Sequence, residues 1–316
     1  MSPAGDASEA IRTERVFAII GAAPLCVPGT RANMEGAFQL LISGALTGAE
    51  YALAAVGMAL IFRVGRGINL AHGAFVALGA YIAYQTSLSG LPALAGAGPA
   101  AAGGLLLGGA VERVLMRRVR GDLLAQAVVL LALAVLAEGG FLLVVGDSPH
   151  SVPLRLAPLL LGRIVINTEQ AIAVVITAAI LGAMALGIRT RPGLALRAVI
   201  ANPEIAALSG IDVGRVRTIT FAAACAMGAA AGAFLSPLFT ISPTMGRGPL
   251  ALTLAMILVG GVGRIRGILA ASLGIGVASA VVGFYLAPAW SNVLGLLLVA
   301  AAIISRPLDA PGGRRR

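Results

Sequence analysis

The stretch LLAQAVVLLALAVLAEGGFLLVVG, residues 123 to 146, decides the solvent in which this chain folds. Its one ionisable residue is Glu138, and it shows no polar face at the 3.6-residue period that a water-soluble helix needs. A helix of ~20 apolar residues crosses the ~30 Å hydrocarbon core of a bilayer. The stretch therefore predicts a transmembrane helix.

Comparable stretches recur along the whole chain of 316 residues, of which 59% are hydrophobic and only 11% charged. The mean hydropathy of +0.96 is far above that of a soluble domain. Stretches of this length favour helices over a barrel. We therefore predict an all-α fold, a polytopic transmembrane helical bundle of eight to ten spans. The predicted spans cover residues 36–62, 67–87, 92–111, 123–146, 170–188, 218–238, 249–262, 266–287 and 290–305.

The seventh predicted span is short. It and the eighth flank the glycine-rich segment VGGVGRIRG, residues 259 to 267. Short hydrophobic segments interrupted by glycine are typical of the discontinuous helices of transporters. Residues 249–287 are therefore expected to form either two full crossings or a broken, partly penetrating pair.

The charged residues exclude several classes of function. All 23 basic residues are arginine, and without lysine the chain cannot build the phosphate-binding loop of a P-loop ATPase. The arginines stand singly or in short clusters between apolar spans, which argues against a nucleic-acid-binding stripe. Cys26 and Cys225 make no metal pattern, and HExxH and GxSxG motifs are absent from the sequence. We therefore expect no enzyme activity, cofactor or metal in this chain.

The arginines also predict the orientation of the spans, because cytoplasmic loops retain positive charge. Alternate loops, with residues 189–217 and the C-terminal segment among them, hold 17 of the 23 arginines. We expect these segments in the cytoplasm and the segment before the first span outside. The arginines assigned to the outer side are Arg12, Arg15, Arg31, Arg155, Arg163 and Arg247.

Small residues predict where helices pack closely. Gly104 and Gly108 form one GxxxG motif, and Gly228 and Gly232 form another. Such spacing lets two helix backbones approach each other in a membrane, although it also arises by chance in a chain with 42 glycines. Cys225, within AAACAMGAAAG, is expected to be a small packing residue.

The segment INLAHGAFVALGAY, residues 68 to 81, resembles the INFAHG segment of the permeases of branched-chain amino-acid ABC importers. Three further segments resemble the same family in the same order, as a charged loop after the third span, a coupling loop and a late glycine-rich segment. They are VERVLMRRVRG (111–121), GLALRAVIANPEIAALSGIDVGRVR (193–217) and LVGGVGRIRGILAASLGIG (258–276). Four ordered matches make the resemblance specific.

This resemblance implies the transmembrane permease subunit of an ATP-driven importer of branched-chain amino acids in a bacterial cytoplasmic (inner) membrane. It also implies a second permease subunit in a heterodimer, two ATP-binding subunits that hydrolyse the ATP, and a periplasmic substrate-binding protein. Two rivals remain open. One is a permease of the same architecture for another small solute, such as an amide, urea or a sugar, and the other is a secondary transporter or channel.

The chain departs from the pattern of this family at four positions. Glu50 and Glu138 stand where small or amide side chains are expected, Ala74 replaces a frequent Glu, and Arg266 replaces a common Pro. These departures concern the substrate rather than the class of transporter.

The loop of residues 189–217 is too long for a simple turn. Asn202 is expected to cap a seven-residue helix that begins at Pro203, with Glu204 at the positive end of the helix dipole and Gly210 closing it. The resemblance makes this loop the element that docks on an ATPase subunit.

Three apolar residues of this loop, Ile205, Leu208 and Ile211, are expected to form an apolar knob, with Ile205 and Leu208 on the exposed surface. The preceding stretch, residues 194–201, is expected to form a second short helix with Arg197 exposed. The alternative is an amphipathic loop that lies on the membrane surface.

Two carboxylates lie well inside predicted spans, where an ionisable group costs ~3 kcal/mol or more unless it faces protein or water. Glu50 and Glu138 are therefore candidates for the substrate pathway, where either could meet the ammonium of a substrate. The alternative is that burial keeps them neutral and they serve only in packing.

Asn69 and His72 are three residues apart, and together with Gly73 they belong to the INLAHG motif. We expect the two polar side chains to share a helix face and to pin the second span to a neighbour through hydrogen bonds. A direct role in transport is the alternative.

The remaining segments lie outside the bundle of residues 36–305. Residues 147–169 form the largest outer loop, with a small hairpin expected near residues 163–166, and this loop is expected to help receive the binding protein. Residues 1–35 look like an added extension, and we hypothesise that Met34 is the physiological start or that residues 1–33 are dispensable. Residues 306–316 are expected to be a cytoplasmic tail.

Overall fold

The computed structural model describes residues 30–65, 67–161, 164–286 and 288–305. The predictions for residues 1–29 and for the tail, residues 306–316, lie outside this part of the chain. Within it the chain forms eleven α-helices, two single turns of 3₁₀-helix and one hairpin. The helices are α1 (Thr30–Gly65), α2 (His72–Leu88), α3 (Ala97–Val114), α4 (Leu123–Val145), α5 (Thr168–Gly187), α6 (Arg191–Ala201), α7 (Pro203–Leu208), α8 (Val213–Leu235), α9 (Arg247–Gly260), α10 (Ile265–Tyr285) and α11 (Pro288–Ser305).

Each of the nine predicted spans corresponds to one helix, so the prediction of an all-α transmembrane bundle is confirmed. Among the described residues, six helices are long and apolar enough to cross a membrane, namely α1, α3, α4, α5, α8 and α10. The others at predicted spans are shorter. In particular, α9 has 14 residues and is ~21 Å long, which is too short for a ~30 Å hydrocarbon core. Of the two alternatives for residues 249–287, a partly penetrating helix followed by a full one agrees with these lengths.

Local side chains determine where several helices begin and end. The carboxylate of Asp122 accepts hydrogen bonds from the N–H groups of Leu124 and Ala125 at 3.0 Å and so caps α4. Asp212 caps α8 by accepting a hydrogen bond from the N–H of Arg215 at 2.9 Å. Gly146 and Gly261 follow α4 and α9 with φ of 87° and 84°, a conformation that favours glycine and stops the helix.

Helix α8 lies at the centre of the bundle and packs against α1, α2 and α3. Its most apolar 18-residue window is 78% buried, whereas that of α4 is only 6% buried. Because α4 contains the most apolar stretch of the chain, its exposure agrees with lipid or a protein partner as its surroundings.

Both GxxxG motifs lie at close helix contacts, as predicted. A Cβ atom on Gly104 would lie 2.9 Å from Ala229 Cβ, and one on Gly108 would lie 2.6 Å from Cys225 Cβ. The other motif faces α2, where Gly228 contacts the ring of His72 and Gly232 touches the backbone of Val76. Cys225 is fully buried between α3 and α8, so its predicted packing role is confirmed.

The outer loop contains the predicted hairpin, formed by antiparallel strands β1 (Leu159–Leu161) and β2 (Ile164–Ile166). The Gln39 amide of α1 donates to the carbonyl oxygen of Val165 at 2.7 Å and accepts from its N–H at 3.0 Å. Farther back in the loop, His150 pairs through its backbone with Ile241. The loop is therefore held against two elements of the bundle.

The contact between Gly232 and Val76 yields a test of the packing. We expect Gly232→Leu to lower the melting temperature of the purified protein by roughly 2–10 °C, because overpacking costs ~1–3 kcal/mol. Gly139→Leu is the matched control, since Gly139 has no neighbouring atom within 4 Å of the added Cβ. Thermal unfolding in detergent, followed by size-exclusion chromatography, measures both. Equal melting temperatures for the two variants would contradict this packing arrangement.

Candidate translocation site

Helix α2 begins at His72, not at residue 67, so the prediction that Asn69 and His72 share a helix face is wrong. Asn69 lies in the non-helical segment before α2, where its side-chain oxygen accepts a hydrogen bond from the N–H of Ala71 at 3.1 Å. Its carbonyl oxygen accepts from the N–H of His72 at 3.0 Å. Asn69 therefore shapes the turn into α2 instead of binding a neighbouring helix.

His72 does pin α2 to a neighbour. Its Nε2 donates to the carbonyl oxygen of Ala54 in α1 at 3.0 Å, and the ring is fully buried. Ala54 lies eleven residues before Gly65, the end of α1, which corresponds to ~16 Å along the helix. Helix α2 therefore begins deep inside the bundle rather than at its edge.

The start of α9 meets the start of α2 at the same depth. Gly73 and Gly246 lie so close that a Cβ atom on either one would overlap the carbonyl group of the other. Gly73, the last residue of the INLAHG motif, is thus needed for a backbone contact between two helix N-termini. Irregular backbone at membrane depth is tolerated where it is buried in protein or lines a cavity.

A cavity of about 270 Å³ lies beside this contact, between α2, α4 and the start of α9. From α4, residues Leu131 to Phe141 line it, which places it between ~12 and ~27 Å along a helix of ~33 Å. The cavity therefore lies beside the middle and C-terminal parts of α4. Its wall consists of Leu70, Gly73, Ala74, Ala77, Leu131, Ala134, Val135, Glu138, Phe141, Pro243, Gly246, Arg247 and Leu250.

Two charged side chains of this wall form a bidentate ion pair. Arg247 Nε donates to Glu138 Oε1 at 2.9 Å, and its Nη2 donates to Oε2 at 2.7 Å. The prediction assigned Arg247 to the outer loops, whereas it is the first residue of α9 beside the cavity. The sequence does not reveal this position of Arg247, because no local sequence pattern indicates that the chain re-enters the bundle before α9.

Ala74 and Glu138 line the same cavity. In the sequence Ala74 stands where a Glu is frequent, and Glu138 stands where a small or amide side chain is expected. The two positions at which the sequence departs from the expected pattern are therefore neighbours in space, and Glu138 brings a carboxylate from α4 to the cavity.

Glu50 lies elsewhere, between α1 and α5, and is fully buried. Neither carboxyl oxygen has hydrogen-bond geometry with a described residue, although the amide of Gln170 lies beside it. That amide donates to the hydroxyl of Thr47 at 3.1 Å. Glu50 lines none of the described cavities, so the structure does not bring the two predicted pathway carboxylates together.

The loop of residues 189–217 folds into α6 and α7. Asn202 caps α7 by accepting from the N–H groups of Glu204 at 2.9 Å and Ile205 at 3.1 Å, and Pro203 is its first residue. Gly210 follows with φ of 80°. Helix α7 has six residues rather than the predicted seven, because Ser209 already leaves the helical conformation.

The apolar knob is exposed as predicted at Ile205, with 61% of its surface exposed, and at Leu208, with 89%. Ile211 differs, because it packs into a small apolar cluster with Val64 and Val199. Arg197 on α6 is exposed. This cluster joins the two short helices to the end of α1, so the exposed knob is attached to a spanning helix through packed side chains.

The described residues contain no group of three or more His, Cys, Asp or Glu side chains that could hold a metal ion. They contain a bundle of apolar helices, two helix starts inside the bundle, a charged cavity at its open side and a protruding pair of short helices. This combination defines a multi-pass membrane protein of the transport-permease class.

Residues 40–302 match the family described as the permease component of the branched-chain amino acid transport system, and the chain belongs to this family. It is a family of transport components and not of enzymes. The chain is 28% identical to the high-affinity branched-chain amino acid transport system permease protein LivH of Escherichia coli K12, over 87% of this chain and 95% of the relative.

Another relative is the permease protein BraD of Pseudomonas aeruginosa PAO1, which is 27% identical over the same shares of the two chains. LivH of Salmonella typhimurium LT2 is 28% identical over 87% of this chain. No solved structure matches the chain.

Glu50 gives a test of the pathway hypothesis. The pathway hypothesis predicts that Glu50→Gln, which keeps the shape of the side chain, leaves the melting temperature unchanged while uptake falls about tenfold or more, because Glu50 would lose one charge-assisted hydrogen bond to the substrate ammonium during transport. Measurements of uptake rate and affinity in membrane vesicles report the effect on transport. Thermal unfolding of the purified protein reports the effect on stability. Unchanged affinity and rate would return Glu50 to a packing role.

Proposed function

We propose that this chain is the transmembrane permease subunit of an ATP-driven importer that moves branched-chain amino acids into the cell. The family match over residues 40–302 is the observation that carries the proposal. LivH and BraD are both described as branched-chain amino acid transport system permease proteins. Because this chain cannot hold ATP through a phosphate-binding loop, partner subunits must hydrolyse it.

The exposed pair Ile205 and Leu208 supports docking on an ATPase subunit. Ile205 is 61% exposed and Leu208 is 89% exposed. Burial of such large apolar side chains in a partner groove lowers the free energy of the complex. Helix α7 is held rigidly by its Asn202 cap and by the cluster around Val64. A movement of the ATPase subunit would therefore pass through this cluster to α1.

The proposed assembly contains this chain, a second permease subunit as a heterodimer partner, two ATP-binding subunits and a periplasmic substrate-binding protein. The outer loop supports the contact with the substrate-binding protein. Gln39 holds the hairpin of this loop against α1, so the loop offers a defined surface. The excess of arginine in alternate loops supports a cytoplasmic C-terminus and an inner-membrane location.

Two other functions compete with this proposal. A permease for an amide, urea or a sugar would share the fold, and the names of the relatives favour amino acids over these solutes. A secondary transporter would need no ATPase and therefore no exposed docking knob. Co-purification of a nucleotide-binding subunit with this chain separates the two mechanisms.

The knob supplies the test of this proposal. We expect Ile205→Asp/Leu208→Asp to reduce ATP-dependent leucine uptake at least about 100-fold, because burying unpaired carboxylates in an apolar groove costs ~3 kcal/mol or more. The membrane level of the protein should not change, since both side chains are exposed.

The matched control is Ile205→Leu/Leu208→Met, which keeps the apolar surface and should keep uptake. Both variants are also tested for co-purification with the ATP-binding subunits, which only the control should retain. Normal uptake by the double Asp variant would refute the coupling assignment.

A further inference from the structure

The ion pair of Glu138 and Arg247 lies on an open side of the bundle. The Arg247 side chain is 69% exposed, and Glu138 lies ~22 Å along the ~33 Å helix α4. A charged side chain at this depth is strongly unfavourable against lipid and is found facing protein or a water-filled cavity. This side of the bundle, between α4 and the start of α9, therefore faces water or a protein partner rather than lipid.

The charged and apolar groups of the cavity beside the pair complement those of a branched-chain amino acid. One carboxylate and one guanidinium lie together at the wall, and the rest of the wall is apolar, with Leu131, Val135 and Leu250 among its members. An α-amino acid zwitterion carries one ammonium and one carboxylate beside each other, and a branched-chain one adds an apolar side chain. Its two charges complement this pair with no net change in charge.

Two helix N-termini add to the preference for a carboxylate. Helices α2 and α9 both begin at the cavity, where Gly73 meets Gly246. The N-terminus of a helix carries a partial positive charge, and the half-helices of transporters point this end at anionic groups of the substrate. The carboxylate end of a substrate therefore belongs next to Arg247.

We propose that this cavity is the intramembrane binding site for the transported amino acid. The α-carboxylate binds Arg247, the α-ammonium binds Glu138, and the branched side chain contacts the apolar wall. Glu138 and Arg247 bind each other in this structure, and a bound substrate would replace their one ion pair with two. The identity of the substrate rests on the function proposed above, whereas the zwitterion site rests on the cavity itself.

The same cavity selects against the rival solutes. A volume of about 270 Å³ is slightly below the ~300–1,000 Å³ of pockets for drug-sized ligands, so it suits a small molecule. The hydroxyl groups of a sugar would lose their hydrogen bonds to water against a wall of Leu, Val and Ala side chains. Urea carries no charge to match the ion pair.

The first experiment measures access to the cavity. Val135→Cys lines it, and Leu136→Cys is the matched control, because Leu136 is 72% exposed at the same depth but does not line the cavity. Both are made with Cys26→Ala and Cys225→Ala in the full complex in proteoliposomes. A membrane-impermeant thiol reagent is added with the binding protein, with and without leucine.

We expect Val135→Cys to react, and to react about tenfold more slowly when leucine occupies nine-tenths of the sites. Leu136→Cys should show no effect of leucine. Isocaproate, which lacks the ammonium, and isoamylamine, which lacks the carboxylate, should protect Val135→Cys less than leucine does. Equal reaction rates with and without leucine would overturn the proposal.

The second experiment separates a binding site from a structural brace. Glu138→Gln and Arg247→Gln should each reduce uptake about 10-fold or more, since each removes a charge-assisted hydrogen bond to the substrate. The exchanged pair Glu138→Arg/Arg247→Glu retains an ion pair but reverses its direction. Uptake should therefore stay low in the exchanged variant while its melting temperature returns to that of the unmodified protein. Restored uptake in that variant would show a brace and overturn the proposal.

These experiments also distinguish failure of the proposed function from failure of the cavity assignment. Failure of the unmodified complex to take up leucine with ATP and the binding protein would overturn the proposed function, and with it leucine as the occupant of the cavity. Leucine uptake by the unmodified complex, together with an unprotected Val135→Cys or a functional exchanged pair, would overturn the cavity assignment alone.

Discussion

The backbone contact between Gly73 and Gly246 is the constraint on which the interior of this protein depends. Neither residue has room for a Cβ atom, so the starts of α2 and α9 are fixed against each other inside the bundle. A helix that begins inside a membrane leaves N–H groups without intrahelical partners. Such a start persists where the surrounding protein or a polar cavity satisfies these groups, and here a charged cavity lies beside both starts.

The rest of the bundle supports this contact from the opposite side. His72 binds the Ala54 carbonyl of α1, and Gly228 of α8 leaves space for the imidazole ring. One turn farther along, Gly232 admits the backbone of Val76. In a membrane, helices associate through close packing and hydrogen bonds because lipid is as apolar as the side chains. The depth of the start of α2 is thus set by small residues on α8 and one histidine.

The close packing of α8 has a consequence at the surface of the bundle. Because α1, α2 and α3 surround α8, the most apolar helix, α4, lies outside them and carries Glu138 on the side that faces the cavity. The C-terminal end of α1 joins the packed cluster under α7, so one helix connects the hydrogen bond to His72 with the exposed knob. This continuity provides a physical route from the exposed knob to the start of α2.

The sequence alone determined the positions of the helices, the Asn202 cap, the exposed Ile205 and Leu208, and both GxxxG contacts. Each depends on local chemistry: apolar length, a side chain that caps its own helix, or the absence of a side chain. The start of α2 was predicted wrongly, and the ion pair of Arg247 and the separation of Glu50 from Glu138 were not predicted at all. They depend on the tertiary structure, because residues 109 positions apart form the ion pair and a carbonyl 18 residues away fixes His72. Hydropathy reports how apolar a segment is, but it does not report the depth at which a helix begins.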